Sequence, residues 1–224
     1  NTGDEKIVST NRLLSTIAYR FKDKITYGLE GSVFVAGSSV QWLRDELKFF
    51  EDASDTESLV SLRDKTSNVL VVPAFTGLGA PHWDPNAKGI ILGLTRGTNR
   101  GHIARAALES IAYQSLDLLK AMESDSKIRL TQLRVDGGSC VNNLLMQFQT
   151  DLIRVPLIRP QTIETTALGA AYLAGLSVGF WRNKEEISLQ WRSERKYHPV
   201  KTKNEMESLY LGWQNAVEIS KSKN

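Results

Sequence analysis

An α/β fold is predicted for this chain by three observations. First, strand and helix patterns alternate through its second half: LTQLRVDGG (130–138), CVNNLLMQFQTDL (140–152), VPLIRP (155–160) and TTALGAAYLAGLSVGFW (165–181) read as strand, helix, strand, helix. Second, the glycines Gly137 and Gly138 stand at the end of the first of these strands, and open α/β sheets seat ligands outside the carboxyl ends of strands. Third, 224 residues with 41% hydrophobic and 24% charged side chains have the ordinary globular profile, enough for one large domain or two small ones.

The elements follow in order. Residues 12–18 (RLLSTIA) and 24–29 (KITYGL) read as short strands of an opening antiparallel unit. From Gly31, apolar residues at Val33, Val40, Leu43, Leu47 and Phe50 predict a helix. Gly37 falls inside that pattern, where glycine costs about 1 kcal/mol relative to alanine, so close packing or a group approaching the backbone has to justify it. Gln41, four residues on, shares its face. EDASDTESL (51–59) reads as an acidic loop and helix edge, and NVLVVPAF (68–75) as a buried strand. TGLGAPHWDPNAKG (76–89) has neither period; it is a functional loop or a surface loop anchored by Trp83. GIILGL (89–94) is a short strand, and residues 102–122 carry the longest helical pattern, with a wide apolar face that predicts a core helix.

The small-residue stretch ALGAAYLAG (167–175) predicts tight helix-to-sheet packing. WRSERKYHP (191–199) and LYLGWQNAV (209–217) read as a partly ordered closing segment with a final amphipathic helix. A net charge of +3 without a run of like charges carries no nucleic-acid or membrane signal. The single cysteine, Cys140, allows no intrachain disulfide and fits a reducing compartment. The pattern shows no zinc-type cluster, no apolar run of transmembrane length and no secretory signal.

Residues 135–143, VDGGSCVNN, pose the functional question. Paired glycines at a strand end make either a tight turn or a turn whose backbone faces a phosphate or nucleoside. Asn142 and Gln41 carry amides able to donate and accept, which suits a purine or ribose edge. Asn143 reads as an exposed or capping residue, Asp136 as fixing the turn or lying near a metal, and Cys140 as a small core or turn residue.

VVPAFTGLGAPHWDPNAKGIILGLTRG, HIARAALESIAYQ, LRVDGGSCVNNLLMQFQTDL and ETTALGAAYLAGLSVGFW together resemble the carboxyl-terminal half of the FGGY carbohydrate kinase family, in the actin and Hsp70-like ATPase superfamily. GIILGL, seven residues, then HIARAALE is similar to the family's second signature, whereas DGG alone occurs across the superfamily. The loop FTGLGAPHWDP resembles members that phosphorylate glycerol rather than xylulose-type members, with His82 where many have tyrosine. The resemblance weakens beyond residue 198, leaving 199–224 a weakly matching tail.

The resemblance implies a ribonuclease H-like fold, a mixed sheet flanked by helices. It implies Mg-ATP as cofactor, nucleotide contacts at Gly37, Gln41, Gly138 and Asn142, and no catalytic or metal-ligating residue within 1–224. Transfer of the γ-phosphoryl group to glycerol would use an amino-terminal domain that holds the general base and the glycerol contacts and aligns to nothing here. The isolated chain is then expected to bind adenine nucleotide weakly and to lack kinase activity. A cytoplasmic protein, homo-oligomeric at full length, is also implied. The alternatives are another FGGY sugar or polyol kinase, and a non-catalytic actin-like nucleotide-binding interaction module.

Overall fold

The computed structural model describes residues 1–61 and 68–222. It opens with the antiparallel hairpin of β1 (Leu14–Phe21) and β2 (Lys24–Glu30), paired from Leu14↔Glu30 to Phe21↔Lys24. The chain then passes at Gly31 against the long central helix. A Cβ there would stand 2.7 Å from a Leu118 methyl, so glycine is what allows the approach.

Helix α1 (Gly37–Asp45) starts at Gly37 instead of running through it. The predicted penalty for an interior glycine therefore does not arise. Val33 lies before the helix, and Leu47 and Phe50 beyond it. Helix α2 (Asp55–Ser61) occupies the acidic stretch. Strands β3 (Leu70–Val72) and β4 (Ile90–Leu92) pair antiparallel and enclose the glycine- and proline-rich loop.

Helix α3 (Arg100–Ser126) overruns the predicted 102–122 at both ends. Asn99 caps it, its Oδ1 accepting from the Gly101 N–H at 2.9 Å, while His102 Nδ1 accepts from the Asn99 N–H at 3.2 Å. It ends where Lys127 turns left-handed at φ 57°. Ala104, Ala107, Ala112 and Ala121 are buried along it, and these short side chains let neighbouring elements close on its axis.

The second half holds a mixed sheet of β5 (Leu133–Arg134), β6 (Leu157–Pro160) and β7 (Ser193–Tyr197), in the order β5-β6-β7. β5 and β6 are parallel and β6 and β7 antiparallel. Helix α4 (Asn143–Ile153) makes the crossover from β5 to β6. The strand–helix–strand–helix order read from the sequence is thus the order built, and the fold is α/β with a mixed sheet flanked by helices.

Two expectations are corrected. Helix α5 (Thr165–Ser177) does not bury its small-residue face on a sheet: within 167–175 only Gly175 is buried, lying under the Trp181 ring, which a Cβ would meet at 2.2 Å. A run of small residues signals that something can come close; it does not say what. The closing segment, in turn, is regular structure and not partly ordered, and its final helix is amphipathic as expected. After the short α6 (Lys184–Ser188), β7 joins the sheet and α7 (Lys203–Ser220) buries Trp213 to 1% exposure, stacked on Tyr113 with ring centroids 5.2 Å apart. The Tyr210 hydroxyl and the Trp213 indole N–H donate to the buried Asp117 carboxylate at 2.5 and 2.9 Å. The predicted tail at 199–224 includes residues 223 and 224, which lie outside the described residues.

Candidate functional site

The sequence stretch VDGG divides its two glycines between two jobs. Gly137 has φ 76°, a left-handed conformation that side chains avoid, and its N–H donates to the Ile163 carbonyl at 2.9 Å. It makes the turn. Gly138 lies outside the left-handed region, and a Cβ on it would meet nothing within 4 Å. It leaves space. A single 3₁₀ turn (Gly138–Val141) follows, then α4. Among the described residues, the N–H groups of Gly138 and Ser139 have no protein acceptor, whereas that of Cys140 is spent on the Gly137 carbonyl at 3.2 Å.

Gly138 opens onto a cavity of about 450 Å³ between α1, α2 and the start of α4. Gly37, Gln41, Gly138 and Asn142 all line it, so the four residues singled out in the sequence meet in one place across about a hundred residues of chain. Val40, Leu108, Ile111 and Leu145 supply apolar wall. Each polar group has a defined remaining capacity. Asn142 caps α4, its Oδ1 accepting from the Leu145 N–H at 2.9 Å, which turns its Nδ2 into the available donor. Gln41 is exposed on the cavity side of α1. Gly37 serves packing: a Cβ there would lie 3.3 Å from Ser139 Oγ, so glycine lets α1 close on the 3₁₀ turn.

The turn is held from behind by a side chain the sequence reading passed over. Arg159, on β6 and 8% exposed, donates to the carbonyls of Cys140 (2.7 Å) and Val141 (3.1 Å) and to Asn143 Oδ1 (3.2 Å). Its guanidinium also meets both Glu194 oxygens, at 2.5 and 3.2 Å. Hydrogen bonding to Glu194 raises the Arg159 pKa, and the same contact lowers that of Glu194. The one available signal was a basic residue inside the apolar strand VPLIRP, because buried arginines are there for their partners.

Asn143 is no loose cap. Its Oδ1 also accepts from Arg195 Nη1 (3.0 Å) and from the Tyr197 hydroxyl (2.7 Å), while its Nδ2 donates to Glu57 at 3.2 Å. Asp136 accepts from the Thr165 hydroxyl at the start of α5, which ties the turn to the next helix. Cys140 is buried, and burial pushes its thiol pKa up, as for an inert core residue. Among the described residues no group of three or more His, Cys, Asp or Glu side chains is placed to hold a metal ion.

The loop 76–89 contributes nothing to the cavity lining. It is pinned elsewhere: Asp84 accepts from the Ser222 N–H at 2.7 Å, Trp83 Nε1 donates to the Arg12 carbonyl at 2.9 Å, and His82 Nε2 lies 3.5 Å from Asp117. No helix among the described residues is long and apolar enough to cross a membrane.

Comparison with known proteins agrees with this architecture. The model of the FGGY family of carbohydrate kinases, C-terminal domain, matches residues 2–178. The chain is 57% identical over 217 residues to a glycerol kinase of Desulforamulus reducens, covering 97% of this chain and 43% of that protein. It is 56% identical over 218 residues to a glycerol kinase of Symbiobacterium thermophilum, covering 97% and 44%. The chain thus spans less than half the length of these relatives. Among solved structures, Plasmodium falciparum glycerol kinase with ADP superposes on the whole chain, and on 45% of its own, with a TM-score of 0.92 at 38% identity. A xylulose kinase of Lactobacillus acidophilus, at 24% identity and a TM-score of 0.81 over 97% of this chain and 45% of its own, shares the fold. The chain belongs to the FGGY family of carbohydrate kinases and corresponds to its C-terminal domain.

Proposed function

We propose that residues 1–224 are the nucleotide-binding half of a glycerol kinase, which binds Mg-ATP and works with an amino-terminal domain that supplies the general base and the glycerol contacts. The observation that carries this reading is the convergence of Gly37, Gln41, Gly138 and Asn142 on one cavity of about 450 Å³. ADP in the Plasmodium relative and the level of identity to glycerol kinases support it.

When bound, Mg-ATP supplies the transferable γ-phosphoryl group and the cation that offsets its charge. The residues of this chain bind and orient. The N–H groups of Gly138 and Ser139 would hold the phosphates. The Asn142 Nδ2 and the Gln41 amide would hold the nucleoside, and the apolar wall would keep water from the purine. Phosphoryl transfer depends on positioning and electrostatic stabilisation with every group in place. This half alone therefore binds nucleotide weakly and does not phosphorylate glycerol. A cytoplasmic setting, where ATP is supplied, and a homo-oligomeric full-length protein go with this reading.

The test is calorimetric titration of ADP and Mg-ATP into the chain and a Gly138→Val variant. A Cβ on Gly138 would meet nothing within 4 Å, so a side chain has open space there at the cavity wall. Binding by the natural chain and at least tenfold weaker binding by the variant are expected. Equal binding by both would place the nucleotide elsewhere.

A further inference from the structure

One carboxylate in the cavity has no role in the reading above. Glu57, on α2, lines the same cavity as Asn142 and Gln41. Its carboxylate meets Asn143 at the start of α4, just beyond the 3₁₀ turn; a carboxylate repels phosphates, so with phosphates at the Gly138 N–H it would face the nucleoside.

Its orientation is fixed from behind. The Asn143 side-chain oxygen accepts from Arg159 (3.2 Å), Arg195 (3.0 Å) and Tyr197 (2.7 Å). With three donors on that oxygen, the amide has one sensible orientation, and its Nδ2 faces Glu57 at 3.2 and 3.4 Å from the two carboxylate oxygens. The Asn143 N–H adds a contact at 3.4 Å. A carboxylate has about four acceptor positions, and these contacts leave capacity toward the cavity. The sheet and α4 thus hold an acceptor-only group in the wall of a cavity that Val40, Leu108, Ile111 and Leu145 also line.

Resting on the nucleotide-binding reading, we propose that Glu57 reads the 6-amino group of the purine and so makes this site selective for adenine over 6-oxo purines. An exocyclic amine donates to the carboxylate. A 6-carbonyl presents an oxygen to it instead, and the two acceptors repel. Asn143 acts through Glu57 as a positioning residue.

The experiment compares ADP with IDP, which differ at the 6-position, in the natural chain, Glu57→Ala and Glu57→Gln, by calorimetry. The natural chain is expected to bind ADP about tenfold or more tightly than IDP, the scale of one hydrogen bond to a charged group. Alanine should bring the ratio close to one. Glutamine, its oxygen retained by Asn143, turns an NH₂ to the cavity and should shift the ratio toward IDP by more than alanine does. ADP binding with the same ADP:IDP ratio in all three proteins would overturn the role of Glu57 and leave the nucleotide site standing. If Glu57 instead held the ribose, 2′-deoxy-ADP would bind the natural chain about tenfold more weakly than ADP and the Glu57→Ala variant equally well, which also overturns the proposal. No binding of either nucleotide by the folded natural chain would overturn both readings.

Discussion

Replacing Arg159 with methionine isolates the support behind the candidate site. Methionine keeps the length and apolar stem and removes the guanidinium, which makes five hydrogen bonds: two to backbone carbonyls, one to Asn143 and two to Glu194. Their losses are unequal. Glu194 is half-exposed and water can replace the arginine, so that ion pair contributes only about 0–1 kcal/mol. Asn143 keeps Arg195 and Tyr197, and the Val141 carbonyl belongs to an exposed residue. The Cys140 carbonyl is the exception: its residue is buried, and an orphaned buried acceptor costs about 1–3 kcal/mol. The sum is about 1–4 kcal/mol. For a chain of this size that lowers the melting temperature by about 2–16 °C, measurable by calorimetry or circular dichroism. Because the freed carbonyls belong to the 3₁₀ turn, ADP affinity should fall as well. Lysine, which restores the charge but not the fork, should recover only part of either loss. A methionine variant within about 0.5 kcal/mol of the natural chain, with unchanged ADP binding, would refute the assignment of Arg159 as the buttress of the turn.

Two further outcomes are expected. Asp125, near the end of α3, works against burial that would raise its pKa; hydrogen bonds from Ser9, Asn11 and Thr10 outweigh it and hold the carboxyl below the usual carboxylate range. With the folded pKa depressed, the contribution is full above the unfolded value of about 4 and is lost as pH falls through the folded one. Asp125→Ala should therefore speed hydrogen exchange at Thr10 and Asn11 near neutral pH, and its stability deficit should shrink steadily in acid. Trp213→Ala should cost about 3–5 kcal/mol in denaturant unfolding, since the ring is fully buried, stacks on Tyr113 and donates to Asp117. A loss under about 1 kcal/mol would mean that α7 is an appendage to the core, not part of it.

The sequence by itself determined the order of elements and the four cavity residues. Strand and helix patterns in 130–181 give the order of elements, and Gly137 in VDGG marks a turn that few other residues could make. Tertiary structure decided the rest. Gly37 looked like a helix-interior glycine; it opens α1 instead, lining the cavity with Ser139, far along the chain, close beside it. The α5 small residues looked packed, yet apart from Gly175 none is buried, because composition sets how close a partner can come and not whether one is present. The closing segment read as partly ordered with a final amphipathic helix; what that helix packs on came only from the fold, where Tyr210 and Trp213 are anchored by an aspartate 93 and 96 residues earlier. Arg159 showed only as a basic residue in an apolar strand, and the roles of Asn143 and Glu57 were hidden for the same physical reason. Each is an ordinary polar residue locally, and its role exists only in partners that folding brings within hydrogen-bonding distance.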